Sequence, residues 1–567
     1  MTITKGETEL EKKQLILPVF EEYQKARLKF AQSISDLAAN PNDYAALKAA
    51  GAIPLLCTLF MDIMPTIQRT AIVAMGRLAS YNIDIAEEII RRNILPLLVE
   101  KLKKESNRIT EIPNSEQLYK RAASYLLRSI SKHDVNLAKI IVKTNALEAL
   151  QICIKDPDPF VKESAILTLA NIAKHSEELA IEIASEKYEL IPMIIQSIHD
   201  YDLPVLRAVA SVIFEISKHS FQLVLILERN EIIPALEKLM EQDDPKLMNI
   251  LLPILTQLSR YEDNFALKLA TETHSIETAI KELSKEDINC RKNCCVYLLE
   301  CVKHSEELAQ KVIDEGGISK IIEYIKKHEQ EYRIPGVMFL CNLAIKNEDM
   351  AGLIIMEKAV EVLCMILESD PLEELKEIVV KTLGYLGSYN AKFTREITKT
   401  DAIFLVASLA ANPVLYPEIK STCNKSLKRM LKYCLHLQTL EKIMDIVQDD
   451  ILELVLLQFA KILRTDGKLR RRFIISGTFK KVEEMKFPSG SNARNAIKSI
   501  NLCFPPDVIR YYTTDYLDEL LLKVENFEPL TPPPSEQSLE ISLSQKENMS
   551  INEHESINEH ESINEYE

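Results

Sequence analysis

The chain has 567 residues with only 12 Gly and no Trp, and its 69 Lys and Arg against 84 Asp and Glu leave a formal charge of −15. No apolar run is long enough to cross a bilayer, and the polar start Met1 to Gln14 is unlike a signal peptide, so membrane insertion and secretion are set aside. Nine Glu and one Lys in residues 531–567 account for −8 of the charge, and the mildly acidic remainder argues against a general nucleic-acid binder, which relies on clustered Lys and Arg.

Residues 1–30 read as a helical lead-in. Residues 31–487 then carry a repeat. Its mark is a recurring end-of-helix signal: Ser131-Lys132-His133, Ala173-Lys174-His175-Ser176, Ser217-Lys218-His219-Ser220 and Val302-Lys303-His304-Ser305, with degenerate copies at Tyr81, Tyr261, Lys346 and Tyr389. Successive signal positions lie 52, 42, 44, 42, 43, 42 and 43 residues apart. A fixed period of that length marks a helical solenoid, whose units stack into one continuous core. Eight units are clear, a degenerate one (Leu37 to Leu56) precedes them and one or two follow Tyr389, about ten in all.

Within a unit the periodicity resolves three helices. Val161, Ala165, Leu169 and Ile172 form one apolar stripe of a long helix. Lys174 and His175 stand at its end, where positive charge suits the helix dipole. A second segment opens at Glu177-Glu178-Leu179-Ala180. A third begins near Ile191-Pro192, and Pro54, Pro96 and Pro234 recur at that station, where a missing N–H is harmless. Three helices per unit predict an all-α, armadillo-repeat, right-handed superhelical solenoid.

Three segments interrupt the period. Residues 104–117 are a polar insertion that explains the interval of 52. Residues 488–530 lose the repeat. In residues 531–567 Thr-Pro-Pro-Pro leads into Ser550-Ile551-Asn552-Glu553-His554-Glu555, repeated with drift, an acidic tail with too little apolar surface to fold alone.

The sequence offers no catalytic constellation. There is no phosphate loop, metalloprotease helix or calcium loop. The repeat histidines occupy one station per unit, whereas catalysis needs different groups to converge, so capping or packing of the turn is expected of them. Cys290, Cys294, Cys301 and His304 resemble a metal set, but on one helix Cys290 and His304 are about 21 Å apart, too far to share an ion. No metal and no cofactor are expected. The eleven cysteines lack disulfide spacing and point to a reducing cytosolic compartment.

Two basic features remain as candidate protein-binding sites. Near the start of successive long helices stand Arg69, Lys120, Lys162, Arg207, Arg291, Arg333 and Lys376, a ladder suited to an acidic peptide, with Met248 and Asn249 breaking its register. Lys468, Arg470, Arg471 and Arg472 form a second cluster, suited to an acidic surface such as a tubulin tail.

Several blocks resemble one family in detail. They are Val19-Phe20-Glu21-Glu22-Tyr23-Gln24-Lys25-Ala26-Arg27, Pro65-Thr66-Ile67-Gln68-Arg69-Thr70-Ala71, Gly76-Arg77-Leu78-Ala79, the Lys-His-Ser signals followed by Glu-Leu-Ala (174–180 and 303–309), and Ile509-Arg510-Tyr511-Tyr512. Across roughly residues 15–530 the chain resembles the sperm-associated antigen 6 family of armadillo proteins. That resemblance implies a non-enzymatic scaffold of the central pair apparatus in the axoneme of cilia and flagella. It implies other central-apparatus proteins and the microtubule as partners, a cytoskeletal location, and no nucleic acid or membrane, with self-association open. The insertion at 104–117 and the hexapeptide tail have no family counterpart. A catenin-like scaffold holding acidic peptides in a basic groove is the alternative. A nuclear-import adaptor is less favoured, because its Trp ladder is absent.

Overall fold

A single helix would leave the stripe of Val161, Ala165, Leu169 and Ile172 in water, and the fold exists to bury such stripes against one another. The computed structural model describes residues 5–106, 113–488, 490–512 and 516–527, and among these every regular element is helical. The acidic tail at 531–567 and the centre of the polar insertion at 107–112 lie outside the described residues. Packing divides the chain into two units, 1–451 and 452–567.

The first unit is an all-α solenoid of armadillo type. Its long helices are Lys5–Leu37, Pro65–Tyr81, Pro113–Ser131, Pro159–His175, Leu203–Ser217, Pro245–Tyr261, Ile288–Lys303, Ile334–Lys346, Glu373–Leu386 and Pro417–Leu431, and each packs against the next. Two shorter helices follow most of them, as Glu177–Ala184 and Leu190–Gln196 follow Pro159–His175. The stripe residues Val161, Ala165, Leu169 and Ile172 are fully buried. The flanks of the insertion are helical: Lys104 and Ser106 close Ile94–Ser106, and Pro113 opens the next long helix.

Local chemistry punctuates each unit. Asp158, Asp202, Asp244 and Asp287 each accept a backbone N–H in the first turn of the long helix that follows, satisfying donors with no partner inside the helix. Ser176, Ser305, Asn347 and Asn390 do the same for the first short helix. The second short helix is entered through a left-handed residue: Gly51, Asn93, Asn145, Glu189, Glu231, Gly316 and Lys358 all have φ between 48° and 79°. The corner therefore demands positive φ even where the sequence does not supply glycine.

The second unit has its own core. Phe459, Phe473, Phe479, Phe504 and Tyr512 form a chain of ring contacts with centroids 4.5–6.4 Å apart. They come from helices Asp449–Thr465, Gly467–Ile475, Thr478–Glu484 and Pro506–Tyr512 and the turn before the last of these. The non-repetitive segment also carries helices, Asn492–Asn501, Pro506–Tyr512 and Tyr516–Glu525.

Candidate protein-binding surface

The recurring signal of the sequence is a tie between neighbouring units. The last carbonyls of a helix have no intrahelical partner. Here the signal residue of one unit supplies a donor to the end of the preceding long helix. His175 donates from Nε2 to the Ser131 carbonyl (2.8 Å) and His219 to that of Ala173 (2.7 Å). His133 does the same to Ala79. The degenerate copies keep the bond with other chemistry: the Tyr81, Tyr261 and Tyr389 hydroxyls donate to Ala39 (3.0 Å), Ser217 (2.8 Å) and Ala344 (2.9 Å), and the Lys346 ammonium to His304 (2.8 Å). A side chain of the right reach with one donor suffices, which is why His, Tyr and Lys share the column. His304 departs from the pattern, facing the Asp263 carboxylate through Nδ1 instead.

At the other end of the long helix a second tie runs forward. Lys120 pairs with Asp156 (2.9 Å), Lys162 with Asp200, Arg207 with Asp244 through two bonds (2.7 and 2.8 Å), and Arg333 with Asp370 (3.0 Å). Arg27 reaches Asp62 (2.7 Å) and Arg121 reaches Asp158 in the same manner. Asn249, which breaks the basic register, donates to Asp287 at 2.8 Å and so fills the same place without charge. Most of these aspartates also accept backbone N–H groups just after them: Asp62 from Met64, Asp158 from Phe160, Asp244 from Leu247, Asp370 from Leu372. The Arg207 guanidinium, hydrogen-bonded to Asp244, holds that carboxyl below the usual carboxylate range.

Four of the seven ladder residues therefore already hold an acid of this chain. The remaining three differ. Arg291 donates to the Glu286 carbonyl (3.0 Å), and where the following unit would present its acid stands buried His328, stacked on Tyr324 and depressed in pKa chiefly by desolvation. Lys376 makes no ion pair among the described residues. Arg69 lines a groove of about 470 Å³ with Ser35, Thr70, Val73, Arg77, Leu118, Arg121, Ala122, Tyr125 and Phe160.

The second basic cluster lies on the Gly467–Ile475 helix, where Lys468, Arg471 and Arg472 are exposed and Arg470 donates to the Cys503 carbonyl (3.3 Å). Residues 452–512 hold twelve Lys and Arg against five Asp and Glu, a net charge of +7 in an otherwise acidic chain. Sequence reasoning found the basic row but missed its acid partners. Their signal was present in the spacing of Asp156, Asp200, Asp244 and Asp287, which repeats the period of the His column.

The metal-like set gains no support from geometry. Cys290, Cys294 and Cys301 are buried, desolvation pushes the Cys301 thiol up to about 12, and among the described residues no group of three His, Cys, Asp or Glu could hold a metal. No helix among them is long and apolar enough to cross a membrane.

No known protein-family profile matches the chain. Two curated proteins resemble it: sperm-associated antigen 6 of mouse (Mus musculus) and of human (Homo sapiens), each 35% identical over 168 residues, covering 30% of this chain and 33% of the relative. The chain thus matches about a third of the length of these relatives, and over that stretch the resemblance read from the sequence is supported. Among solved structures, an engineered protein aligns over 80% of this chain and 98% of its own at a TM-score of 0.55 and 15% identity, a likeness of fold alone.

Proposed function

We propose that this chain is a non-enzymatic scaffold of the axonemal central pair apparatus, holding other central-apparatus proteins along its stacked helices and contacting the microtubule, in support of ciliary or flagellar beating. The observation that carries the reading is the 35% identity to sperm-associated antigen 6 over 168 residues, together with an array in which the recurring side chains of the repeat tie units together. A side chain that is hydrogen-bonded at one station per unit builds a platform rather than a reaction centre. Affinity on such a platform comes from many modest contacts spread over several units. The exposed Lys468, Arg471 and Arg472 are the residues we assign to the acidic microtubule surface. Arg69 and Lys376 are the ladder residues assigned to protein partners.

Localisation tests this reading. A fluorescently tagged full-length chain in a motile ciliated or flagellated cell should stay on the axoneme after detergent extraction and be lost in cells without a central pair. A diffuse or nuclear signal would reduce the resemblance to a shared scaffold.

A further inference from the structure

We propose that the groove between the Pro65–Tyr81 and Pro113–Ser131 helices is a docking site for an extended acidic segment of a partner protein, one that carries aromatic or aliphatic residues among its carboxylates. The inference deepens the scaffold reading by giving one partner site its chemistry.

Charge complementarity carries it first. Three guanidiniums, of Arg69, Arg77 and Arg121, line the groove and, among the described residues, no carboxylate does. Arg69 and Arg77 stand two turns apart on one helix, about 12 Å along its axis, the span of a few extended residues. Arg121 faces them from the next long helix. At Lys120, Lys162, Arg207 and Arg333 the corresponding cations are held by acids of the following unit. Here the compensation is partial. Arg121 is tied to the fully buried Asp158 from behind yet keeps 44% of its side chain exposed. Arg77 uses one terminal nitrogen on the Ser35 carbonyl and hydroxyl (2.5 and 3.1 Å). A guanidinium has five N–H donors, so both retain donors for a ligand carboxylate. Among the described residues, Arg69 has no ion-pair partner.

The second argument is the apolar floor. Leu118 and Phe160 are 36% and 43% exposed, and the Arg121 guanidinium lies 5.8 Å from the Phe160 ring centre. Val73, Ala122 and Tyr125 complete the floor. Gly76 shapes it: a Cβ there would come within 2.7 Å of the Tyr125 ring, so glycine lets that ring lie close against the neighbouring helix. Cations above an apolar floor suit a peptide that alternates carboxylates with hydrophobic side chains. A purely polar anion would leave Leu118 and Phe160 in water.

The test uses the full-length chain and a fluorescein-labelled peptide, Gly-Glu-Glu-Phe-Glu-Glu-Leu-Glu-Gly, followed by anisotropy. We expect saturable binding that weakens as salt rises, is absent with Gln in place of every Glu, and drops about tenfold in Arg69→Gln and again in Phe160→Ala, with the fold of each variant intact by circular dichroism. Arg471→Gln, in the other unit, should leave it unchanged. Absence of saturable binding, or binding indifferent to Arg69→Gln and Phe160→Ala together, would overturn the proposal. A gain in affinity on removing residues 531–567 would overturn the choice of a partner protein in favour of this chain's own acidic tail. A null result here leaves the axonemal reading standing, since localisation tests that separately.

Discussion

Asp244 performs two tasks with one carboxylate, and substitutions can separate them. Its Oδ2 accepts the Leu247 N–H at 2.9 Å, capping the Pro245–Tyr261 helix, while both oxygens receive Arg207 from the preceding unit. Its side chain is 9% exposed and that of Arg207 30%, so solvent screens the pair only in part. Loss of an N-cap costs about 1 kcal/mol, and loss of a charged hydrogen-bonded pair about 1.5 kcal/mol. Asp244→Ala should therefore cost about 2–3 kcal/mol. Asp244→Asn, which still caps, should cost about half of that. Arg207→Ala should resemble Asp244→Asn, and the double variant should show a coupling of about 1 kcal/mol. Because an array need not unfold in one step, the readout is hydrogen exchange in helices 203–217 and 245–261, supported by urea unfolding. The Asp244 carboxyl is depressed in the folded state, chiefly by its bond to Arg207. Its contribution is thus present above the unfolded value near 4 and fades as pH falls through the folded one. Equal losses in Asp244→Asn and Asp244→Ala, or a coupling below about 0.3 kcal/mol, would refute the two-task account.

Three further outcomes follow from the same packing. Leu169→Asp places a carboxylate at a fully buried position between two neighbouring units and should cost about 4 kcal/mol or more; a variant that melts like the parent would contradict the stacked core. Gly384→Ala would put a Cβ 3.0 Å from the Ser426 Cα, between the packed helices Glu373–Leu386 and Pro417–Leu431, and should cost about 1–3 kcal/mol in urea. Ser426→Gly in the same chain should restore part of that loss, and no restoration would mean the contact is not the cause. His274 titrates above its ordinary range because it is hydrogen-bonded to Glu237, so proton NMR should show Glu237→Gln lowering its pKa. The pair's small contribution is complete below the unfolded value near 6.5 and disappears as pH rises through the folded one.

The period, the three-helix unit and the ends of the long helices were legible because apolar stripes and Pro positions are one-dimensional signals. Val161 to Ala173 was expected as a helix and lies within Pro159–His175. The repeat histidines, expected to cap or pack the turn, satisfy carbonyls, although the sequence could not say that those carbonyls belong to the unit before. The ladder was visible only from one side. A basic residue in a helix and an aspartate some 37 positions later are far apart in sequence, and stacking brings them together. Left-handed corners at Glu189, Glu231 and Lys358 were hidden for another reason: Gly51, Gly316 and, more weakly, Asn93 and Asn145 advertise positive φ, whereas these three units accept the strain with ordinary side chains. The groove at Arg69 required Tyr125 and Phe160 from two later helices, which no local pattern indicates.

The ties at the two ends of each long helix have a modular grammar. One accepts any backbone carbonyl at a helix end, and the other needs only an aspartate in register, so neither is specific to a given neighbour. Excising residues 176–219, one whole unit, would bring Asp244 to the position of Asp200 opposite Lys162, and Tyr261 to within two residues of the position of His219, whose carbonyl partner is Ala173. Both contacts could re-form across the new junction. Removing half a unit would leave every polar tie at the seam unmatched. Length in this protein is therefore a quantity that can change in whole steps of about 42–44 residues, as on a ruler cut only at its graduations.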